Sequence, residues 1–266
     1  MSRLRPTDDE TASRLPEDPA VQELDAATRS ALGTQWELRA KAELRVASVF
    51  SVVSQGLFEK GADPAVLTIA ARAVSDEVRH SELCRTLAER YLGRPVAWPP
   101  PGAVPMPSLA QAPDALRPTL HALAMGCVNE TIASAWLEVS LRDAVSPMVR
   151  AALRELIADD IHHARLGWAH LASTFVPEAV RGELGGWLPR LLETAALPWT
   201  RREKDPHPDG FPEHGVPSRQ ATLDVVHQTV RGVILPGFEQ LGVSTALGVD
   251  WVDEHFGGAQ GAAHTT

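Results

Sequence analysis

Glu77-Val78-Arg79-His80 and Asp160-Ile161-His162-His163 each set an acid three residues before a histidine. On a helix that spacing puts both side chains on one face, about one turn apart. Carboxylate and imidazole donors held together in this way suit iron or manganese better than a thiolate-loving metal. The chain contains four such pairs. Asp224 and His227 have no counterpart elsewhere. Asp159 and His162 compete in register with Asp160 and His163. The apolar pattern selects the latter, because Leu153, Leu156, Asp160, His163 and Gly167 follow the three-four spacing of a core stripe.

The two pairs belong to a longer repeat. SDEVRHSEL (75–83) is echoed by ADDIHHARL (158–166), and each lies at the same depth behind a proline, Pro64 or Pro147. The preceding segments echo as well: AELRVASVF (42–50) against NETIASAWL (129–137), with Glu43 matching Glu130. Glu43 shares a stripe with Trp36, Val46 and Phe50, and Glu130 shares one with Cys127, Ala133 and Leu137. Four helices are therefore expected to turn Glu43, Glu77, Glu130 and Asp160 toward a shared core, with His80 and His163 beside the latter member of each hairpin. Four buried carboxylates without counter-charge would each cost several kcal/mol. Two divalent cations supply four positive charges and cancel them.

The elements that must position these residues are long helices. Thr34 and Glu37 form a capping-box pattern, and the apolar stripe then runs to Gly61. Asp63-Pro64 opens a second helix that stops near Gly93. WPPPGAVPMP (98–107) predicts an extended crossover. The link from Arg94 to Arg117 can reach about 80 Å, further than a helix of about 40 Å. A third helix is predicted from near Pro118 to Asp143, and Ser146-Pro147 opens a fourth that ends before Pro177. An amphipathic stretch to Leu197 follows, then a loop from Pro198 to Pro217 and one last helix from about Ser218 to Leu235. No run of strands is predicted. The division is a polar arm over 1–30, the four-helix region over 31–176 and C-terminal helices with a proline-rich loop over 177–266.

Composition excludes several classes. The 266 residues are 44% hydrophobic with a formal net charge of −9, the wrong sign for a nucleic-acid-binding surface. No secretory signal or membrane span is expected. Cys84 and Cys127 form neither a disulfide framework nor a C-x-x-C site, and a cytoplasmic location follows as the expectation. No flavin, haem or nicotinamide site is seen.

The chain resembles the ferritin-like superfamily. More narrowly, it is similar to the twofold E-x(28–37)-D-E-x-R-H pattern of di-iron monooxygenase hydroxylases. Glu43 is followed after 32 residues by Asp76-Glu77-Val78-Arg79-His80, a full match. Glu130 is followed after 28 residues by Asp159-Asp160-Ile161-His162-His163, with Asp160 in place of Glu and His162 in place of Arg. The resemblance covers roughly residues 34 to 176. It implies an all-α ferritin-like four-helix bundle with a long crossover between helices 2 and 3 and additional C-terminal helices. It also implies two iron ions, with manganese an alternative, held by Glu43, Glu77, His80, Glu130, Asp160 and His163. Asp76 and Asp159 would accept from the histidines of the opposite hairpin, with Arg79 and His162 in the same outer layer. Cys84 and Ser134 fall at positions where the family places residues that take part in its oxygen chemistry. Small buried packing residues are the competing reading of both. His170 could line a pocket or be a satisfied core histidine, and the lone Tyr91 lies too far along the helix for a radical role.

These features set the functional expectation. A di-iron protein would use O2 to oxidise a small organic substrate, as oxidase or monooxygenase, with electrons from an external donor. The alternative is a ferroxidase, an iron-storage protein or a rubrerythrin-like peroxide scavenger. A non-catalytic interaction protein is a third class, against which the complete set of six ligands counts. The added C-terminal residues would obstruct a storage shell, so a monomer or small homo-oligomer is expected.

Overall fold

The computed structural model describes residues 15–98, 100, 106, 109–201 and 207–257. Its elements are helical, and the one strand-like pairing among the described residues is an isolated bridge between Phe211 and Val216. Among them, no helix is long and apolar enough to cross a membrane.

Helix α1 (Ala26–Glu59) begins earlier than Thr34. Asp25 is its N-cap and accepts from the Ala27 and Thr28 amides, so the orphan donors of the first turn are satisfied there. Thr34 lies inside the helix and donates to the Ser30 carbonyl instead. Residues 1–14 of the expected arm lie outside the described residues. The rest of it is packed down: Leu15 and Val21 are buried, Arg90 donates to the carbonyls of Leu15 and Pro16, and Ser146 donates to Asp18.

Helix α2 (Pro64–Leu92) starts on an Asp63 cap and ends at Gly93, whose φ of 65° is the left-handed conformation that glycine adopts without penalty. It packs along α1 through its length. The third predicted helix is interrupted. Helix α3 (Arg117–Ala122) passes into a π-helical segment, Leu123–Asn129, and then into α4 (Glu130–Asp143). Helix α5 (Pro147–Ala172) is capped by Ser146, which accepts from the Val149 amide. It packs against α4, the π segment and α2.

The C-terminal part covers one side of this assembly. Helices α6 (Glu178–Leu184), α7 (Leu188–Ala195) and α8 (Leu197–Thr200) are followed by α9 (Arg219–Thr229). The predicted 198–217 loop thus holds a helical turn at its start and a 3-10 turn, Pro212–His214; residues 202–206 lie outside the described residues. The predicted last helix becomes α9, a second π segment (Val230–Ile234) and α10 (Leu235–Gln240), and a further helix, α11 (Ala246–Phe256), follows. Trp251 and Val252 of α11 are buried in an apolar cluster with Leu188, Leu191, Leu235 and the π segment at 123–129. That long-range burial, absent from local pattern, is what holds α11.

Apolar side chains form two layers with a polar layer between them. On α1, Trp36 and Ala40 belong to one layer and Phe50 and Val53 to the other. On α2 the layers are Leu83 and Leu87 against Ala70 and Ala73; on α5 they are Leu153 and Leu156 against Leu166. Glu43, Glu77, His80, Asp160 and His163 fall in the gaps of all three stripes.

Candidate metal centre

Each helix delivers its polar residues to that gap by ordinary helical periodicity. Glu77, His80, Glu130, Asp160 and His163 are 5% exposed or less. Donor atoms of Glu77, Glu130, Asp160 and His163 all lie within 4.8 Å of one another, and those of Glu43, Glu77 and His80 do likewise. Glu77 belongs to both groups. Its Oε2 is 3.4 Å from His80 Nδ1 and its Oε1 is 2.9 Å from His163 Nδ1. The shorter Asp160 reaches both histidines with a single oxygen: Oδ1 is 3.6 Å from His80 Nδ1 and 3.4 Å from His163 Nδ1.

These separations are close, yet Glu77 Oε2, His80 Nδ1, Asp160 Oδ1 and His163 Nδ1 have no hydrogen-bond partner. Even the 2.9 Å contact lacks the direction of a hydrogen bond. The groups face a common space rather than one another. Buried polar atoms without partners are costly, and convergent lone pairs of this kind fit a cation. The residues of this cluster could therefore hold a metal ion.

The outer nitrogens set the orientation. His80 Nε2 lies 3.3 Å from Asp159 Oδ2, and His163 Nε2 lies 3.4 Å from Asp76 Oδ2. Each histidine thus leans on the aspartate of the opposite hairpin. A carboxylate at Nε2 favours the proton there and leaves the Nδ1 lone pair facing inward. Arg79 donates to Asp159 and Glu155, and Arg72 reaches Asp76 and Asp159. His162, at the place of Arg79 in the repeat, is exposed to solvent instead. Its expected place in the outer layer is corrected: the acids of that layer are served by the two long guanidinium side chains of α2.

Without a metal, protons carry the compensating charge. Burial would lower both histidines, but the surrounding carboxylates win and raise His80 to about 10 and His163 to about 11. Burial raises the Glu43 carboxyl to about 7 despite Arg39 beside it, and raises Glu130 well above the carboxylate range. Burial would raise Glu77 too, but the two histidines hold it at about 2.

The flanks of Glu43 and Glu130 hold residues that sequence reasoning missed. Arg39 donates to Glu43 at 2.9 Å and lies 4.6 Å from the Trp136 ring centroid. The i, i+4 spacing was a readable signal for that ion pair. Asn129 donates to Glu130 at 2.8 Å and accepts from Trp199 Nε1 at 3.1 Å. Trp199 comes from α8, and no local pattern could place it here.

A cavity of about 680 Å³ opens from solvent onto Glu43, Glu77, Glu130 and Asp160. It runs between α1 and α4 and is bounded by Pro198, Trp199, Gly215 and Val216 of the C-terminal part. That part is tied down where the Val145 amide donates to the Glu213 carbonyl and Tyr91 meets His214 Nδ1 at 2.8 Å. The cavity wall contains Ala133 rather than Ser134, whose hydroxyl is buried without a partner. Cys84 is fully buried beside Arg39 and Glu43, and burial pushes its thiol well above the usual range. Neither residue lines the cavity: Ser134 is turned by one helical step, and Cys84 belongs to an apolar layer. His170 is a core histidine that meets Thr119 Oγ1 at 3.1 Å.

Comparison of the chain with protein-family models, with curated proteins and with solved structures finds no match in any of the three.

Proposed function

We propose that α1, α2, α4 with its π segment, and α5 form a ferritin-like four-helix bundle that holds two iron ions and uses O2 to oxidise a small organic molecule. The observation that carries this reading is the cavity of about 680 Å³ leading from solvent to the acidic layer. It has the size of a small-molecule site, and the C-terminal elements that wall it are what a bundle alone would lack.

Bound iron would supply redox equivalents and open coordination positions for reaction with O2. Glu43, Glu77 and His80 would hold one ion, and Glu77, Glu130, Asp160 and His163 the other. Asp159 and Asp76 keep the proton of each histidine on Nε2, so that Nδ1 stays available. Arg39 fixes Glu43, and Asn129, itself held by Trp199, fixes Glu130. Trp136 and Trp199 exclude water from the approach and leave apolar surface for substrate. Insertion of one oxygen atom into a C–H bond consumes O2, two electrons and two protons and releases water. The electrons would come from an external donor.

The test is aerobic addition of excess Fe(II), followed by size-exclusion chromatography with light scattering. A monomer or small oligomer that consumes O2 without accumulating mineral is expected. A particle of many subunits filled with iron would overturn the oxygenase reading in favour of storage.

A further inference from the structure

Charge is unevenly distributed along the cavity. Among the described residues its acids are Glu43, Glu77, Glu130 and Asp160, and its bases are Arg39, Arg45 and Arg201. The four acids are the groups assigned above to the metals, and two divalent ions would cancel them. What the loaded cavity then presents is the charge of three arginines, in a chain whose formal net charge is −9. Arg45 and Arg201 are exposed and have no ion-pair partner among the described residues. A cavity of one sign within a protein of the other sign concentrates ligands of opposite charge.

The walls add a second requirement. Trp136 and Trp199 face the cavity with ring centroids 6.1 Å apart. Both indole N–H groups are engaged, Trp136 with Thr222 Oγ1 and Trp199 with Asn129 Oδ1. The Arg39 guanidinium covers one face of Trp136; the ring surface that remains on the two indoles is apolar and offers no donor, which suits a flat hydrocarbon body. We infer that the cavity takes an aryl or arylalkyl carboxylate, its acid group held by Arg45 and Arg201 and its ring against Trp136 and Trp199. Guanidinium groups bind carboxylates through paired donors and discriminate strongly against neutral analogues. The inference rests on the metal-centre reading, which supplies the cations that cancel the four acids.

The test uses the full chain loaded with zinc, which binds without redox turnover. Benzoate, phenylacetate and indole-3-acetate are each titrated calorimetrically beside their primary amides, and zinc is measured on the same samples. At least one acid should bind about tenfold or more tightly than its amide, as expected for a charge-assisted contact. The Arg45→Gln/Arg201→Gln double variant should keep its zinc and lose most of that preference. With about two zinc ions per chain present, equal affinity for acids and amides, or no binding of any acid, overturns the inference alone. A preference that survives in the double variant shows the anion bound by the metal and overturns the arginine assignment. Zinc-free protein would instead overturn the metal-centre reading, and this inference with it.

Discussion

Glu43 and Glu130 occupy matching places in the two hairpins, but their neighbours four residues earlier differ in kind. Before Glu43 stands Arg39, which pairs with it and faces the cavity. Before Glu130 stands Gly126, within the π segment, where a Cβ would lie 2.3 Å from the Gly167 backbone nitrogen. The first hairpin brings a cation to its glutamate; the second brings helix backbones into contact and takes an amide, Asn129, from the adjacent position. Similar divergence occurs further along. Arg79 spans the acids of the outer layer while His162 faces solvent, and Leu87 is matched by His170, a buried histidine in the second half. The repeat supplies donor atoms, and the departures from it supply access, charge and closure.

The largest expected effect breaks the symmetry of the two acids on α5. Asp160→Ala should abolish tight metal binding, because its oxygen faces both histidines. Asp159→Ala should cost about 10–100-fold in affinity through loss of His80 orientation. Competition with a metal-sensitive dye measures both, and an equal or reversed order would show that the register of α5 is wrong.

Next is the glycine contact. Gly126→Ala forces a methyl group into the backbone of α5 and should destabilise the fold by about 3 kcal/mol in chemical denaturation. Gly182→Ala meets open space and should stay within about 0.5 kcal/mol. Similar values for the two would remove the close approach from the account.

The His170–Leu87 difference predicts a pH effect. Burial pushes the His170 imidazole down to about 4, against about 6.5 when unfolded. Above pH 6.5 it is neutral in both states and its contribution is constant. As pH falls from 6.5 toward 4, the unfolded chain takes a proton that the folded chain refuses, so stability is lost across that window. By pH 5 the wild type should have lost about 2 kcal/mol more than His170→Leu. Parallel stability profiles for the two proteins would show the ring protonated or solvated.

The smallest effect concerns the outer layer. His162→Ala should change stability and metal affinity by no more than about 0.5 kcal/mol, whereas Arg79→Ala should weaken metal binding through Asp159. Matching losses would restore the outer-layer role of His162.

The cluster was legible because an acid and a histidine three apart share a helix face whatever surrounds them. Glu43 and Glu130 were legible from their apolar stripes and from each other. The start of α1 was misplaced because Thr34-x-x-Glu37 resembles a cap, while Asp25, two residues after the 3-10 turn Pro19–Glu23, performs the capping. The π segment has no local signature in the sequence, and its Gly126 lies against Gly167 of α5. Trp199, Gly215 and Val216 reach the cavity by long-range packing, so the cavity and its arginines had no local signature.

The proposed centre needs six side chains to hold metal together. Anaerobic loading with Fe(II), removal of excess and elemental analysis should give about two irons per chain. The Glu77→Ala/His80→Ala protein should lose most of them. Folded wild-type protein that retains no iron under these conditions would contradict the account.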